Sequence, residues 1–393
     1  MADVEIQRDS LAAQITAQVD RLQDALEALS ASLHAEPEIG FQEHRSAEKL
    51  IALLSQEGFA IEREIGGLPT AFRAAWGEEG KGPTLAFLAE YDALPGLGHA
   101  CGHNLIAASS LGAALALKRS LPRLEGRILV LGTPAEEGGG GKVTLLEQGA
   151  FAGVDIALMV HPNSRTQLRW KSLAMASVKL AFTGKAAHAA ASPHQGVNAL
   201  DALILTYNNL NALRQQLRDD ARIHGIITEG GRAPNIIPDH TAAWFYLRSL
   251  AEDYLHELLE KFQACAQGAA QATGCRLEWE VSPLIYQPFK PNRALEELFR
   301  SHLARFGVAE SPPAPEGMLG SSDIGNVSQR IPTLHAELAI CPEGIALHTP
   351  EFAQAAISER GRQGLLLAAK ALALTALDLF LSPEKRQEVQ RDF

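Results

Sequence analysis

"GRILVLGTPAEEGGGG" (residues 126–141) carries an apolar run, Ile128 to Leu131, straight into two acids and four glycines. An apolar run without alternation reads as a strand covered on both faces, as in a parallel sheet. Ligand sites in open α/β sheets lie just beyond the carboxyl ends of strands, where Glu136 and Glu137 fall. Outward from it, "VDIALMVHP" (154–162) reads as a second buried strand and "PTLAFLAEYD" (83–92) as a third, too apolar for an edge. "TAFRAAW" (70–76) reads as a further strand, and "HNLIAASSLGAALALKRSL" (103–121) as a helix rich in small residues. Strands alternating with helices predict an α/β domain with a mostly parallel sheet. Further upstream, Leu11, Ile15, Val19, Leu22, Leu26, Leu29 and Leu33 line one face of a long amphipathic helix, and residues 45–58 read as another helix ending at Gly58.

Near residue 172 the pattern changes. "LAMASVKLAFTGKAAH" (173–188) alternates as an antiparallel strand does. A helix (196–217), two strands (224–231 and 240–249), a helix (252–273) and a strand (275–282) follow. Strand, helix, two strands, helix, strand is the order of a ferredoxin-like α+β unit. The economical organisation is one α/β domain of residues 1–171 and 286–393, interrupted by a smaller domain at 172–285.

Of 393 residues, 46% are hydrophobic and 21% charged, enough to bury a large core. A net charge of -11 argues against nonspecific nucleic-acid binding, which needs a cationic surface. No stretch reads as a membrane span, and the N-terminus lacks the basic start and apolar run of a signal peptide. Four cysteines are too few for a disulfide framework, so a cytoplasmic protein is expected.

The chemistry-bearing residues fall on the same loops. Cys101 and His103 stand one residue apart in "GHACGHN" (98–104), and an extended backbone would turn both side chains to one side. A buried cysteine beside a surface histidine is the plain alternative. Of Glu136 and Glu137, one can bind a metal while its neighbour, pointing away, acts as general base; two solvated loop acids are the alternative. The glycines do not form a phosphate loop, because no GxxxxGK[ST] pattern is present. His161 ends a buried strand, and His348 in "LHTPEF" (347–352) follows a strand-like segment, "IPTLHAELAI" (331–340). Cys, His, Glu, His and His together suit two borderline divalent ions such as zinc, manganese or cobalt, with the Cys101 thiolate as a bridge.

"EYDALPG", "GHACGHN", "TPAEEGGGG", "VHP", "GKAAHAA", "APNIIPD", "GSSDIGNVS" and "LHTPEF" follow one another in the order found in the dinuclear metallopeptidases. The chain resembles this family of aminoacylases, hippurate and indoleacetyl-amino-acid hydrolases and glutamate carboxypeptidases from about residue 31 to the C-terminus. Asn104 in "GHACGHN" is similar to the branch of aminobenzoyl-glutamate hydrolase and of β-alanyl-lysine and Xaa-Arg dipeptidases. The resemblance implies a catalytic domain of di-zinc exopeptidase type and an inserted lid that forms a homodimer. It implies Cys101, His103, Glu137, His161 and His348 as metal ligands, Glu136 as general base and Asp92 as an acid supporting the ligands from behind. His188 would stabilise the oxyanion, Asn235 and Arg248 would hold a substrate carboxylate, and Ser321 and Ser322 would line the pocket. Glu90 stands where peptidase branches have a histidine ligand, so the site looks like the cysteine-containing amidohydrolase type. Hydrolysis of a small N-acyl amino acid or dipeptide is the expected reaction. A noncatalytic or partner-dependent metal-binding homologue, or a deaminase acting on an aromatic amine, are the competing readings.

Overall fold

The computed structural model describes residues 2–121, 123–169, 171–312 and 319–393. They divide into two compact units: the described residues of Met1–Lys171, Phe289–Glu316 and Ser322–Phe393, and those of Ser172–Pro288 and Gly317–Ser321.

The larger unit opens with α1 (Ala2–Arg21) and α2 (Gln23–Ala35). The long helix expected there is interrupted at Leu22, although the hydrogen bonds Leu22 N to Gln18 O and Leu26 N to Leu22 O carry the ladder across the break. The amphipathic face therefore survives, and Ile15, Val19, Leu26 and Leu33 are fully buried. Then come α3 (His44–Gln56), β1 (Ala60–Arg63), β2 (Phe72–Gly77), β3 (Thr84–Ala89), α4 (His103–Ser120), β4 (Arg127–Gly132), α5 (Gly141–Glu147) and β5 (Ile156–Asn163).

The smaller unit contains β6 (Ala174–Thr183), α6 (Ala199–Leu213), β7 (Arg222–Glu229), β8 (His240–Ser249), α7 (Glu252–Thr273) and β9 (Arg276–Val281). The larger unit resumes with α8 (Arg293–Arg305), α9 (Ile324–Ser328), β10 (Thr333–Ala339), α10 (Pro350–Ala355), α11 (Glu359–Leu381) and α12 (Pro383–Arg391).

In the larger unit six strands run in the order β1-β2-β4-β3-β5-β10. The pairs β4–β3, β3–β5 and β5–β10 are parallel, while β1–β2 and β2–β4 are antiparallel. Every residue of β3 is buried, as its unbroken apolar run demands for a central strand. Helices α1, α4 and α11 pack one apolar cluster, and residues such as Ile106, Leu129 and Phe151 form another. By length and composition α11 could cross a membrane, contrary to the sequence reading that no segment could; its apolar residues are instead spent on the core.

The smaller unit is a four-stranded antiparallel sheet, β7-β8-β6-β9, with the β-α-β-β-α-β order of a ferredoxin-like motif. Helices α6 and α7 cover one face and bury Leu203, Leu255, Leu258 and Phe262 against Val178, Phe182 and Phe245. Asn198 starts α6 by accepting hydrogen bonds from the amides of Leu200 and Asp201.

Candidate metal centre

The site lies on the loops that follow the parallel strands of the larger unit. Beyond β3 come Glu90, Asp92 and Cys101; beyond β4 come Glu136 and Glu137; His161 ends the apolar run of β5; and His348 follows β10. Cys101 and His103 do converge, but not through extended backbone. Gly102 between them is left-handed, with φ +78, and a Cβ there would meet the Pro162 side chain at 2.4 Å. The glycine therefore does two things: it makes the turn into α4, and it lets that turn press against the end of β5. Gly141 is demanded in the same way, since a Cβ would meet the Pro134 carbonyl oxygen at 1.9 Å. Two non-glycine residues at the site, Ala135 (φ 57) and His348 (φ 64), are also left-handed. Such backbone costs about 1–2 kcal/mol per residue and concentrates at functional positions. Thr349 offsets part of it by capping α10 through the Phe352 amide, and the His348 amide donates to the Ala100 carbonyl at 2.9 Å, tying this loop to that of Cys101.

Cys101, His103 and His161 offer one ligand atom each within 4.8 Å of one another, and so do Cys101, Glu137 and His348. The sulfur is thus common to two triads, the arrangement a bridging thiolate between two cations requires. Cys101 Sγ is 3.5 Å from His161 Nε2, and His348 Nε2 is 3.5 Å from Glu137 Oε1. Donors sharing a tetrahedral zinc-like ion stand about 3.3–3.8 Å apart, given metal–donor bonds of about 2.0–2.3 Å.

The imidazole tautomers agree with this use. His161 Nδ1 donates to the Pro162 carbonyl at 2.8 Å, and His103 Nδ1 donates to the Asp92 carbonyl at 2.9 Å and to Asp92 Oδ1 at 3.0 Å. Each ring then presents the Nε2 lone pair to the site. His103 Nε2 and Glu137 Oε1 are buried without a hydrogen-bond partner, which is costly unless a cation meets them. Burial holds His161 down to about 4, leaving it neutral. These residues fit divalent cations.

Asp92 organises the centre from behind: its Oδ2 accepts the Glu137 amide at 2.9 Å while Oδ1 holds His103. Burial pushes the Glu136 carboxyl well above its usual range, and repulsion from Glu90 and Glu137 adds to it. Glu136 does not point away as the sequence suggested. Its Oε2 is 3.9 Å from His103 Nε2, because the left-handed turn at Ala135 sets both acids toward the centre. Sequence reasoning missed Glu43, which is buried, accepts the Ala135 amide at 2.8 Å and the Thr70 hydroxyl at 2.9 Å, and so fixes that turn. It also missed Lys142 and Asp323. A lysine directly behind the glycine run was the available signal for the first.

His188, Asn235, Arg248 and Ser321 belong to the smaller unit and Ser322 to the larger. His188 is exposed beside the Asn235 loop: the Ala189 amide donates to the Asn235 carbonyl at 3.0 Å, and His188 bridges to Ile236. His188 Nδ1 accepts from the amides of Ala190 and Ala191 at 3.3 and 3.2 Å, which leaves Nε2–H as a donor. Arg248 Nη1 donates to Ser321 Oγ at 3.2 Å, and burial lowers the pKa of its guanidinium. Ser322 accepts from the Ile324 amide at the start of α9.

The profile of Peptidase family M20/M25/M40 matches residues 86–370. The chain belongs to that family. It is 40% identical to the Xaa-Arg dipeptidase of Mus musculus over 390 residues, covering 95% of this chain and 90% of that protein. It is 30% identical to one of the subunits of the p-aminobenzoyl-glutamate hydrolase of Escherichia coli, covering 91% of this chain and 89% of that one. The fold is shared with a dinuclear metal binding peptidase of the M20 family from Bacillus subtilis, with a TM-score of 0.69 at 21% identity over 91% of this chain and 99% of that one. This M20 chain is a metallo-amidohydrolase.

Proposed function

We propose that this M20 hydrolase cleaves the amide bond of a dipeptide or small N-acyl amino acid with a free carboxylate, dipeptides ending in arginine or another basic residue foremost. The observation that carries the reading is the pair of triads meeting at Cys101, with Glu136 beside them. Likeness to an Xaa-Arg dipeptidase across nearly the whole chain supports the substrate class, and a net charge of -11 favours approach of a cationic substrate.

Cys101, His103, Glu137, His161 and His348 would hold two divalent ions. The ions supply Lewis acidity and lower the pKa of water toward neutrality. Glu136 takes the proton of the attacking water and returns it to the leaving amine. His188 offers its Nε2–H to the developing oxyanion. Arg248 and Asn235 orient the substrate carboxylate, for which the planar guanidinium is suited, and Ser321 holds the Arg248 fork in place. Ser322 contributes to the pocket lining. Asp92 keeps His103 in the ligating tautomer. We further propose a homodimer formed through the smaller unit, whose edge strand β7 is exposed along most of its length and displays Ile226 and Ile227, and a cytoplasmic setting that keeps the four cysteines free.

The test is an assay of dipeptides ending in arginine, lysine or an apolar residue, β-alanyl dipeptides, N-acyl amino acids and aminobenzoyl-glutamate, after loading with zinc, manganese or cobalt. Fastest turnover of basic dipeptides supports the reading; no turnover of any member by metal-loaded protein overturns it.

A further inference from the structure

Behind the five ligands lies a buried charge network that the mechanism above does not use. Lys142 is fully buried, and its Nζ sits 2.6 Å from Glu90 Oε1 and 2.7 Å from Asp323 Oδ1. Asp323 grips it twice, since Oδ2 also accepts the Lys142 backbone amide at 2.9 Å. Glu90 is 1% exposed and so cannot be serving solvent. Its contact with the Lys142 ammonium makes it one arm of a buried ion pair.

Its second oxygen raises the question. Glu90 Oε2 has no hydrogen-bond partner and points at His103 Nε2, 3.5 Å away, which has none either. His103 spends its Nδ1 proton on Asp92, so in the ligating tautomer two lone pairs confront each other in a dry site. That is unfavourable unless a positive centre lies between them, and the separation matches the roughly 3.4 Å edge of a tetrahedral ion.

We propose that Glu90 is a sixth ligand of the metal centre, and that Lys142, anchored by Asp323, is the positioning residue that presents it. Lys142 occupies one carboxylate oxygen and leaves the other for the cation shared with His103. A cation held this rigidly fixes the Glu90 side chain without competing for the site, because the Lys142 ammonium is already neutralised by Asp323. The inference rests on reading these residues as a metal centre. The rival occupant of the gap is a second proton on His103.

The experiment titrates metal-free protein with zinc and with manganese, following stoichiometry and affinity by calorimetry and manganese coordination by electron paramagnetic resonance, with circular dichroism to confirm folding. Wild type is expected to bind two ions. Glu90→Gln is expected to weaken one of them by at least ten- to a hundredfold, the range for groups that tune a ligand set, and to change the manganese spectrum. The paired variant Lys142→Gln, Asp323→Asn removes one charge of each sign and is expected to weaken the same ion, with Glu90→Gln adding little on top because Lys142 acts through Glu90. Should the pair not fold, Lys142→Arg, which keeps the charge but moves it, is expected to weaken that ion too. Unchanged affinity and spectrum in Glu90→Gln overturn the ligand role. Additive losses in the triple variant, or unchanged affinity in a folded Lys142 variant, overturn the positioning role. Failure of wild type to bind any ion sinks instead the hydrolase reading beneath it.

Discussion

Replacing Asp92 by asparagine tests how the centre is held. Asp92 is buried and needs an acceptor on each oxygen: Oδ1 accepts from His103 Nδ1 at 3.0 Å, and Oδ2 accepts the Glu137 amide at 2.9 Å. An asparagine of nearly equal size keeps one acceptor and sets an NH2 group against the other donor. One charge-assisted hydrogen bond is lost, worth about 1.5–3 kcal/mol. Because that bond fixes a ligand rather than the fold alone, the loss should reach the metal equilibrium. At roughly 1.4 kcal/mol per tenfold, this amounts to about 10- to 150-fold weaker binding of the ion held by His103 or Glu137. The assay is calorimetric titration of metal-free Asp92→Asn with zinc, paired with thermal unfolding of the metal-free protein. Activity should return when metal is raised in proportion to the lost affinity. Wild-type affinity for both ions in this variant would refute the claim that Asp92 orients the ligands.

Glu136→Gln should retain both ions and lose about 10²–10⁴-fold in kcat, the range for a proton-transfer group, measured on the best substrate of the panel. His188→Ala should cost about 10²–10³-fold in kcat at unchanged metal content, as expected for one oxyanion donor. Gly102→Ala should destabilise by at least about 1–2 kcal/mol from its left-handed backbone alone and also weaken metal binding, because Pro162 must move; denaturant unfolding with and without zinc checks both. Far from the site, Asp378 accepts from Arg8 Nε at 2.6 Å and Lys385 Nζ at 2.7 Å and faces His302 Nε2 at 3.2 Å. Burial opposes its charge, but His302, Arg8 and Lys385 outweigh this and hold its carboxyl far below the usual range. A depressed folded-state pKa gives stability that is complete above the unfolded value near 4 and is lost as pH falls below it. Asp378→Asn should therefore lower the melting temperature at pH 7, and the deficit relative to wild type should shrink below about pH 4.

Much of the larger unit was legible because local signals agreed. The apolar runs of β3, β4 and β5 have no polar alternation, which only a doubly covered strand tolerates, and the six-stranded sheet places all three centrally. Short elements were less legible. Strand β1, with the exposed pattern of an edge, and α5, hidden behind glycines, left no periodicity to read. The break at Leu22 was invisible because it does not disturb the spacing of the apolar face.

The sequence by itself determined which residue types meet at the strand ends: Cys101, His103, Glu136, Glu137, His161 and His348 stand there because acids, thiols and imidazoles follow buried strands that must end on the same side of a parallel sheet. Only the tertiary structure decided their orientation and their neighbours. Whether Cys101 and His103 converge depends on one positive φ at Gly102 and its fit against Pro162, and Glu136 faces inward because of the turn at Ala135. Lys142, Glu90 and Asp323 come from three distant segments, and nothing local to any of them announces the others. Burial supplies the reason: a charge concealed from water must find its partner somewhere in space, and chain distance does not limit where that partner lies.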